Sequence, residues 1–380
     1  MPTILTINAG SSSVRLSLVA SDGNAVERLG SQHEGRRPAD RAATIAHFLE
    51  RYASRTPAAV GHRLVHGGNR FVEPVLLDDS VAQALAELAP LAPLHVPEAL
   101  AWTRAARDVL GPTVPQVCVF DTAYFADLPK VASTYAIPAD LASRHGIRRF
   151  GFHGLAHKAL WRRWSRLRPD LEDGGRLVSL QLGSGCSAAA VLRGAPLDTS
   201  MGFTPIEGLV MSTRSGDVDP GVVLALQRLG GLDAEKLEQL LDRESGLRGI
   251  SGSTGDMQEL LGRPDDPSAR LAIEVFCYRI RKYVGAYLAV LGGTDGIVFG
   301  GGVGENSAEV RSACLSKLDA LGIRLDEDAN RAVVGREGPI ASPRGGVDVR
   351  VLIADEAGEI AREAAALLGR PQEPMGRGHE

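Results

Sequence analysis

Short apolar runs alternate with amphipathic stretches along most of the chain, a pattern typical of α/β proteins. The apolar runs predict strands at 3–8, 14–19, 58–65, 114–120, 177–182, 187–192, 296–299 and 349–353. Apolar positions at helical spacing predict helices at 40–53, 79–90, 97–110, 221–229, 233–243, 266–291 and 358–368, and another from about Glu305. No apolar run approaches the roughly 20 residues that cross a bilayer, so we expect no membrane partner.

The order of these elements repeats. The segments ILTINAGSSSVRLSLV and LVSLQLGSGCSAAAVL share one plan, in which a strand, a small-residue turn and a second strand follow each other. Asn8 and Gln181 hold the same place in this plan, two residues before Gly10 and Gly183. Gly-Ser turns between strands are common, but the shared spacing favours two duplicated α/β halves that offer their turns to a common cleft.

Composition narrows the function classes. The 380 residues include 42 basic and 46 acidic side chains, and a net charge of −4 gives no broad attraction to nucleic acid. The four cysteines are scattered without a CxxC pair, which indicates reduced thiols and argues against a structural zinc site. The start, MPTILTINAGSSS, has no signal-peptide pattern, so a cytoplasmic location is expected.

Three small-residue turns are candidate phosphate sites. They are residues 8–13, 183–185 and 300–306, and each lies at the end of a predicted strand. Such turns aim backbone N–H groups at one point, where they can hold phosphate oxygens. The pattern GxxxxGK followed by Ser or Thr is absent, which excludes a P-loop. In the third turn, bare glycine backbone permits close approach of a nucleotide.

Charged residues beside predicted strand ends are candidates for catalysis. Arg63 and Arg214 carry planar forks that suit carboxylate or phosphate oxygens, although an isolated arginine more often forms a surface ion pair. Asp121 ends a buried strand, and Glu356 precedes the last predicted helix. Either carboxylate suits Mg²⁺ with retained waters, and either could instead cap a helix or a turn.

His153 and His157 are four residues apart, a spacing that raises the question of a metal site. No third ligand lies nearby in the sequence. A histidine at the start of a helix with a packed neighbour is therefore favoured over zinc.

Nine motifs occur in the order that they take in the acetate kinase family: ILTINAGSSSVR, GHRLVHGG, LAPLH, VFDTAYF, RRFGFHG, LDTSMGFTPIEGLVMSTRSGDVDP, SGLRGISG, GGVGENSAEVR and ADEAGEIAR. The chain resembles this family over about residues 3–365, and the stretch 198–220 is highly specific. The resemblance implies membership of the acetate and sugar kinase, Hsp70 and actin superfamily. The implied fold class is α/β, with two duplicated ribonuclease-H-like domains and the nucleotide in the cleft between them.

The resemblance also implies domain limits and roles. Residues 1–125 with 358–380 would form the acyl and phosphate side, and 126–357 the nucleotide-binding and dimerisation side. Arg63 and Arg214 would bind the acyl carboxylate and the transferring phosphoryl group, and His153 would hydrogen-bond the phosphoryl oxygens. Asn8 and Glu356 would serve Mg²⁺, with Mn²⁺ as an alternative, and Asp121 would lie close to the metal.

The remaining implied contacts fall into two sets. The pocket for the acyl methyl group would comprise Val65, Leu94, Phe152 and Pro205. The contacts to nucleotide or phosphate would comprise Asn8, Ser11, Ser13, Arg15, Gln181, Gly183, Ser184, Gly185, Asp256, Gly302, Val303, Gly304 and Asn306.

The implied reaction is a reversible, direct in-line phosphoryl transfer from ATP to acetate, giving acetyl phosphate and ADP, by a homodimer. A kinase of propionate or another short acid shares every motif and would differ only in pocket volume. A regulator that binds nucleotide or acyl phosphate without turnover is the alternative of another class.

Several positions depart from the family pattern. Gln181 replaces a histidine, Ser184 an asparagine, Gln258 an arginine and Arg15 a lysine. These changes lie on the phosphate and nucleoside side, whereas both catalytic arginines are retained. They leave the identity of the phosphoryl donor and the turnover rate open.

Overall fold

The computed structural model describes residues 1–10, 14–22, 26–34, 40–92 and 95–369. The chain forms two compact units. The first unit comprises Met1–Ala123 with the segment that begins at Asp355, and the second unit comprises Tyr124–Ala354.

Twelve strands lie within the described residues: β1 Thr3–Ala9, β2 Val14–Ser21, β3 Val26–Glu34, β4 Ala59–Leu64, β5 Val75–Leu76, β6 Gln116–Phe120, β7 Arg176–Leu182, β8 Cys186–Leu192, β9 Ala195–Thr199, β10 Gly296–Gly300, β11 Gly338–Pro339 and β12 Asp348–Val351.

The same residues contain these α-helices: α1 Arg41–Tyr52, α2 Asp79–Ala86, α3 Val96–Leu110, α4 Lys130–Ser133, α5 Ala139–His145, α6 Gly154–Leu167, α7 Pro220–Gly230, α8 Ala234–Gln239, α9 Gly246–Ser251, α10 Met257–Leu261, α11 Pro267–Leu291, α12 Gly301–Asn306, α13 Ala308–Leu315, α14 Glu327–Ala332 and α15 Glu356–Gly369. Among the helices that the structure describes, none combines the length and apolar character required to span a membrane.

The two units repeat one sheet topology. The order in the first sheet is β3-β2-β1-β4-β6-β5, and the second sheet, from its β9 edge, reads β9-β8-β7-β10-β12-β11. In each sheet the first hairpin is antiparallel, and the next two strands run parallel to the first strand. The predicted duplication and α/β fold class are therefore confirmed.

The strand registers identify equivalent residues in the two units. Ile7 pairs with His62 in the first sheet, and Leu180 pairs with Phe299 in the second. Asn8 is therefore equivalent to Gln181, as the sequence predicts. By the same register, Arg63 of β4 corresponds to Gly300 of β10. The first unit therefore carries a cation where the second unit has a glycine.

The first sheet is covered by helices on both faces, which is typical of strands that are apolar throughout. On one face α1 and α3 pack through Phe48 and Trp102, which belong to a core that includes Val60 of β4. On the other face α15 approaches so closely that a side chain at Gly61 would lie 2.6 Å from Ile360.

In the second unit, α6 packs on the central strands. Leu160 and Trp164 join the core that contains Leu177 and Val298. A side chain at Gly296 would lie 2.2 Å from the Trp164 ring, so only glycine fits under this helix. This packing holds the start of α6 at the carboxyl ends of the strands.

Four helix predictions need correction. The helix expected at 79–90 ends at Ala86. The helix expected from Glu305 begins at Gly301, because Gly301 has a φ of 77° and turns the chain directly out of β10. The last helix begins at Glu356 rather than at 358. The helix expected at 233–243 ends as an α-helix at Gln239 and continues as a π-helical turn, Leu240–Glu244.

Candidate active site

Four polar side chains meet at one edge of the first unit. Asn8 is the penultimate residue of β1, Arg63 that of β4, Asp121 follows β6, and Glu356 begins α15. Because the carboxyl ends of parallel strands share one edge of a sheet, this topology brings the four together.

Arg63 is the centre of this cluster. Its Nε lies 3.1 Å from each Asp121 oxygen, and its Nη2 lies 2.5 Å from Asp121 Oδ2. Its Nη1 donates to Asn8 Oδ1 at 2.8 Å, and the Asn8 amide donates to Glu356 Oε2 at 2.8 Å. The guanidinium therefore has a fixed plane and a fixed orientation.

The two carboxylates of this buried cluster keep Arg63 charged. Asp121 is fully buried, and the Arg63 side chain is 12% exposed. Burial acts to lower the pKa of Arg63, but the carboxylates of Asp121 and Glu356 raise it further, so the net pKa lies above its ordinary value. Arg63 is thus a permanent cation at this edge.

Two N–H groups of Arg63 remain for a ligand. A guanidinium carries five N–H donors. Asp121 accepts one from Nε and one from Nη2, and Asn8 accepts one from Nη1. The described residues supply no acceptor for the second hydrogen on either terminal nitrogen. Those two hydrogens suit a carboxylate or a phosphoryl group.

In the second unit, His153 stands at the start of α6 in a strained backbone conformation. It is the N-cap residue with a φ of 58°, and the preceding Gly151 has a φ of 74°. A positive φ at a residue other than glycine is uncommon and is often found at functional sites. The ring is held by Ser187, whose Oγ lies 2.9 Å from His153 Nδ1.

His153 and Arg214 converge on the turn between β7 and β8. The Gly183 N–H donates to the Gly185 carbonyl at 3.0 Å, which closes this turn. A methyl group at Gly185 would lie 3.3 Å from His153 Nε2 and 3.6 Å from Arg214 Nη1. The small space above Gly185 is therefore lined by two hydrogen-bonding side chains, one of them cationic.

Arg214 is oriented by a carboxylate that sequence reasoning missed. Its Nε donates to Asp242 Oδ1 at 2.8 Å, and Arg243 Nε contacts the other oxygen of Asp242 at 2.8 Å. Asp242 belongs to the π-helical turn Leu240–Glu244. Such turns are rare and are frequently found at functional sites.

The glycine-rich turn after β10 exposes bare backbone. A methyl group at Gly301 would lie 2.6 Å from the Leu182 carbonyl, whereas one at Gly302 would meet no atom within 4 Å. Below the turn, the fully buried Arg311 donates to the carbonyls of Gly304 at 2.8 Å and Val333 at 2.6 Å. Burial lowers the pKa of Arg311 to about 10.

Some predicted nucleotide contacts have other partners here. Asp256 is exposed and caps α10, because its Oδ1 accepts from the Glu259 N–H at 3.0 Å. The Asn306 amide donates to the Gly302 carbonyl at 2.8 Å. Ser184 is exposed at the tip of the turn after β7, and Val303 is partly exposed.

Gln181 differs from its counterpart Asn8. Its Oε1 is buried and has no hydrogen-bond partner among the residues that the structure describes. A methyl group at Gly300 would lie 3.2 Å from this oxygen. Asn8, in contrast, satisfies both ends of its amide through Arg63 and Glu356.

The other predicted residues divide between the units. Arg15 is exposed on β2, opposite Asn8 in the strand register. Val65 is partly exposed in the first unit, and Phe152 is buried and Pro205 partly exposed in the second. Three predicted residues, Ser11, Ser13 and Leu94, lie outside the described residues.

The donor set in the first unit fits magnesium. The described part of the chain contains no group of three or more His, Cys, Asp or Glu side chains that could hold an ion alone. Mg²⁺ commonly binds one or two carboxylates and takes its other ligands from water and substrate phosphates. Glu356 fits this mode, because only Oε2 of its carboxylate accepts a hydrogen bond, from Asn8, within the described residues.

The chain is similar to known proteins over most of its length. Residues 24–362 match the model of the acetokinase family. The acetate kinase of Solibacter usitatus is 39% identical, with 97% of this chain and 99% of the relative covered. That of Clavibacter michiganensis is 43% identical, with 96% and 99% covered.

Two solved structures share the whole fold. The crystal structure of Porphyromonas gingivalis acetate kinase has a TM-score of 0.85 at 36% identity and covers 97% of this chain and 100% of its own. A propionate kinase from Francisella tularensis has a TM-score of 0.87 at 33% identity, with 96% and 99% covered. Together with the conserved order of its motifs and the duplicated sheets, these matches mean that the chain belongs to the acetokinase family.

Proposed function

We propose that the protein is an acetate kinase that reversibly transfers the γ-phosphoryl group of ATP to acetate, giving acetyl phosphate and ADP. The observation that carries this proposal is the state of Arg63. It is a permanent cation with a fixed plane, and two of its N–H groups have no acceptor within the described residues. Such a group suits a carboxylate substrate or the phosphoryl group that it receives.

The chemistry requires alignment and charge neutralisation more than proton transfer. An acyl carboxylate is already a nucleophile, so no general base is required. Its main obstacle is repulsion by the anionic γ-phosphoryl group. Arg63 binds the acyl carboxylate, and Arg214 and His153 bind the transferring phosphoryl oxygens, which offsets that repulsion.

Two features support rigid positioning of these groups. Asp121 and Asn8 hold the plane of Arg63, and Asp242 holds Arg214. Donors that are already oriented need little reorganisation as charge develops in the transition state.

Magnesium completes the proposed site. Glu356, with Asn8 beside it, would hold the ion. Bound there, Mg²⁺ would neutralise charge on the phosphates of ATP. Mn²⁺ prefers the same oxygen ligands and is expected to substitute.

We assign the nucleotide to the glycine-rich turn after β10. Gly302 and Val303 flank the adenine, because Gly302 has open space in place of a side chain. Gly183, Ser184 and Gly185 contact the phosphates through the turn after β7. The buried Gln181 Oε1 has no partner within the described part of the chain and suits a ligand that donates a hydrogen bond. The preferred phosphoryl donor is therefore part of the test below.

We also propose that the active form is a homodimer in the cytoplasm. Helix α7 has no buried residue, although its sequence is PGVVLALQRLG. Val222 and Leu229 are seven residues apart, so they share one face of this helix, and they are 48% and 88% exposed. An apolar helix face of this kind indicates a contact with another protein surface, and a second copy is the occupant that we propose. The four cysteines are free thiols, which suits a reducing compartment.

A hydroxamate assay for acyl phosphate tests the function directly. Purified protein with Mg²⁺ is incubated with acetate, propionate or butyrate, each combined with ATP, GTP or pyrophosphate. Product with acetate and ATP is expected. One methylene changes discrimination between the acids by only ~1–3 kcal/mol, so acetate and propionate must be compared directly. A clear preference for propionate would instead indicate a propionate kinase.

Variants connect that activity to the site. Arg63→Lys and Arg214→Lys are each expected to lower kcat about 10³-fold, because lysine cannot reproduce the fork. Arg107→Lys, which changes an exposed arginine paired with Asp79, is the control and retains full rate. If no acid and donor pair gives product although the folded protein binds nucleotide, the protein is a regulator and the proposal is wrong.

A further inference from the structure

Four side chains of the second unit form one continuous hydrogen-bonded chain. Ser179 Oγ lies 2.8 Å from His157 Nδ1, and His157 Nε2 lies 2.8 Å from Ser187 Oγ. Ser187 Oγ lies 2.9 Å from His153 Nδ1. The chain therefore runs from the interior of the sheet to the imidazole that faces the turn at Gly185.

The fold holds this chain rigidly. Ser179, Ser187 and His157 are fully buried. Ser179 lies on β7 and Ser187 on β8, and the two histidines lie one turn apart at the start of α6. The His157 N–H donates to the His153 carbonyl at 3.0 Å, so both rings belong to the first turn of the helix.

The Ser179 end of this hydrogen-bonded chain sets the direction of all its hydrogen bonds. Among the described residues, His157 Nδ1 is the single hydrogen-bond partner of the Ser179 hydroxyl. If Nδ1 carried the proton, the buried Ser179 hydrogen would have no acceptor, which is unfavourable. The Ser179 hydroxyl therefore donates to His157 Nδ1.

Each later bond follows from the first. With Nδ1 as an acceptor, the neutral His157 ring carries its proton on Nε2 and donates to Ser187 Oγ. The Ser187 hydroxyl then donates to His153 Nδ1. His153 consequently carries its proton on Nε2, the nitrogen that lies beside Gly185 and Arg214.

We propose that Ser179, His157 and Ser187 are positioning residues that keep His153 as a neutral imidazole with its proton on Nε2, aimed at a phosphoryl oxygen. This inference rests on the proposed function. A phosphoryl oxygen only accepts hydrogen bonds, so Nε2 must donate. In the opposite tautomer, a nitrogen lone pair would face an anionic oxygen beside Arg214, and the hydrogen bond would be lost.

The test reads the tautomer directly. A long-range ¹H–¹⁵N spectrum of the ¹⁵N-histidine-labelled full chain is recorded without ligand and with inorganic phosphate. His153→Gln and His157→Gln difference spectra assign the two rings among the nine histidines. Both rings are expected to carry the proton on Nε2 in each sample.

Ser179→Ala removes the hydroxyl that sets the direction. We expect His153 to acquire a substantial Nδ1-protonated fraction and kcat to fall about 10-fold, the effect of losing one hydrogen bond to a charged group. The KM for acetate should not change. Ser179→Thr restores the hydroxyl and should restore both readouts, since Thr6 occupies the equivalent position of β1.

Thr294→Val is the matched control. It also removes a buried hydroxyl, which donates to the carbonyls of Arg176 and Gly296 at the opposite end of the strands. It should leave the spectrum of His153 and kcat unchanged. A change equal to that of Ser179→Ala would contradict a specific role of Ser179.

One further result would overturn the inference, and another would separate it from the proposed function. A wild-type His153 that carries its proton on Nδ1, or on both nitrogens, would overturn the inference. The spectrum can be recorded without turnover. An inactive protein with His153 protonated on Nε2 would therefore contradict the proposed function and still support the inferred direction of the hydrogen bonds.

Discussion

Asp121 contacts Arg63 through both of its oxygens, with Oδ2 2.5 Å from Nη2 and each oxygen 3.1 Å from Nε. The carboxylate is fully buried, so its place is set by the end of β6 and its charge is not screened by solvent. In this position Asp121 orients the cation, and the remaining N–H groups of Arg63 are the ones that would contact substrate.

Asp121→Asn is expected to lower kcat about 10²-fold, because the guanidinium loses its charged bidentate partner and can shift by a fraction of an ångström or more. The free energy of unfolding should fall by about 3 kcal/mol, since a buried pair is broken on one side. The hydroxamate assay and urea denaturation measure the two effects. Asp79→Asn breaks the exposed pair with Arg107 and should change neither. Full activity in Asp121→Asn would show that Arg63 is positioned by other groups.

Gly302→Ala tests the nucleotide assignment without disturbing the fold. A methyl group there meets no atom of the protein within 4 Å, so any loss must come from the ligand. The KM for ATP is expected to rise about 10-fold to 100-fold from overpacking against the nucleotide, with the KM for acetate unchanged.

The free energy of unfolding of Gly302→Ala should rise by about 0.5 kcal/mol, because alanine restricts the unfolded chain. Gly346→Ala is the control, since its methyl group also meets no atom within 4 Å and no ligand is assigned there. An unchanged KM for ATP in Gly302→Ala would move the adenine away from this turn.

The sequence predicts the site residues that stand at strand ends, but it does not predict a hydrogen-bond partner that is distant along the sequence. Asp121 and Asn8 were predictable, because apolar runs define β1 and β6 and polar residues at their ends stand out. Asp242 was not, because nothing local to a π-helical turn 28 residues from Arg214 indicates that the two will meet. The serine partners of His157 were missed for the same reason, since they lie on strands 22 and 30 residues away.

Asp256 shows a different limit of sequence reasoning. Its family motif points to the nucleoside, but an aspartate directly before a short helix is also a strong N-cap, and in this structure its oxygen caps α10. The same local pattern is therefore typical of two roles, and the structure shows the helix cap.

Leu229→Glu tests the proposed dimer. Leu229 is 88% exposed on α7, so a charge there costs the isolated chain little. If a second copy covers this face, the buried charge should weaken association by several kcal/mol and release monomers. Light scattering coupled to size-exclusion chromatography measures the mass. The control is Val131→Glu, because Val131 is also apolar, is 93% exposed and lies outside α7. A Leu229→Glu protein that stays dimeric would exclude α7 from the interface.

The last prediction concerns acid stability and rests on His62. This histidine precedes Arg63 in β4, is 1% exposed, and contacts Gln116 Oε1 through Nε2 at 2.7 Å. Burial lowers the pKa of His62 to about 4, with the bond to Gln116 acting in the opposite direction. Burial likewise lowers the pKa of His66 to about 4. Both rings are therefore neutral in the folded protein near pH 7.

The sign follows from the unfolded chain, in which a histidine has a pKa near 6.5. Between pH 6.5 and about 4 the unfolded chain binds a proton that the folded protein does not, so stability falls as the pH falls. At pH 4.5, His62 alone should cost about 2 kcal/mol relative to pH 7.5. His62→Gln retains a donor for Gln116 and should remove that part of the loss, whereas the exposed His47→Gln should keep the wild-type slope. Urea denaturation at the two pH values measures the difference, and equal slopes for wild type and His62→Gln would mean that His62 takes up its proton in the folded protein.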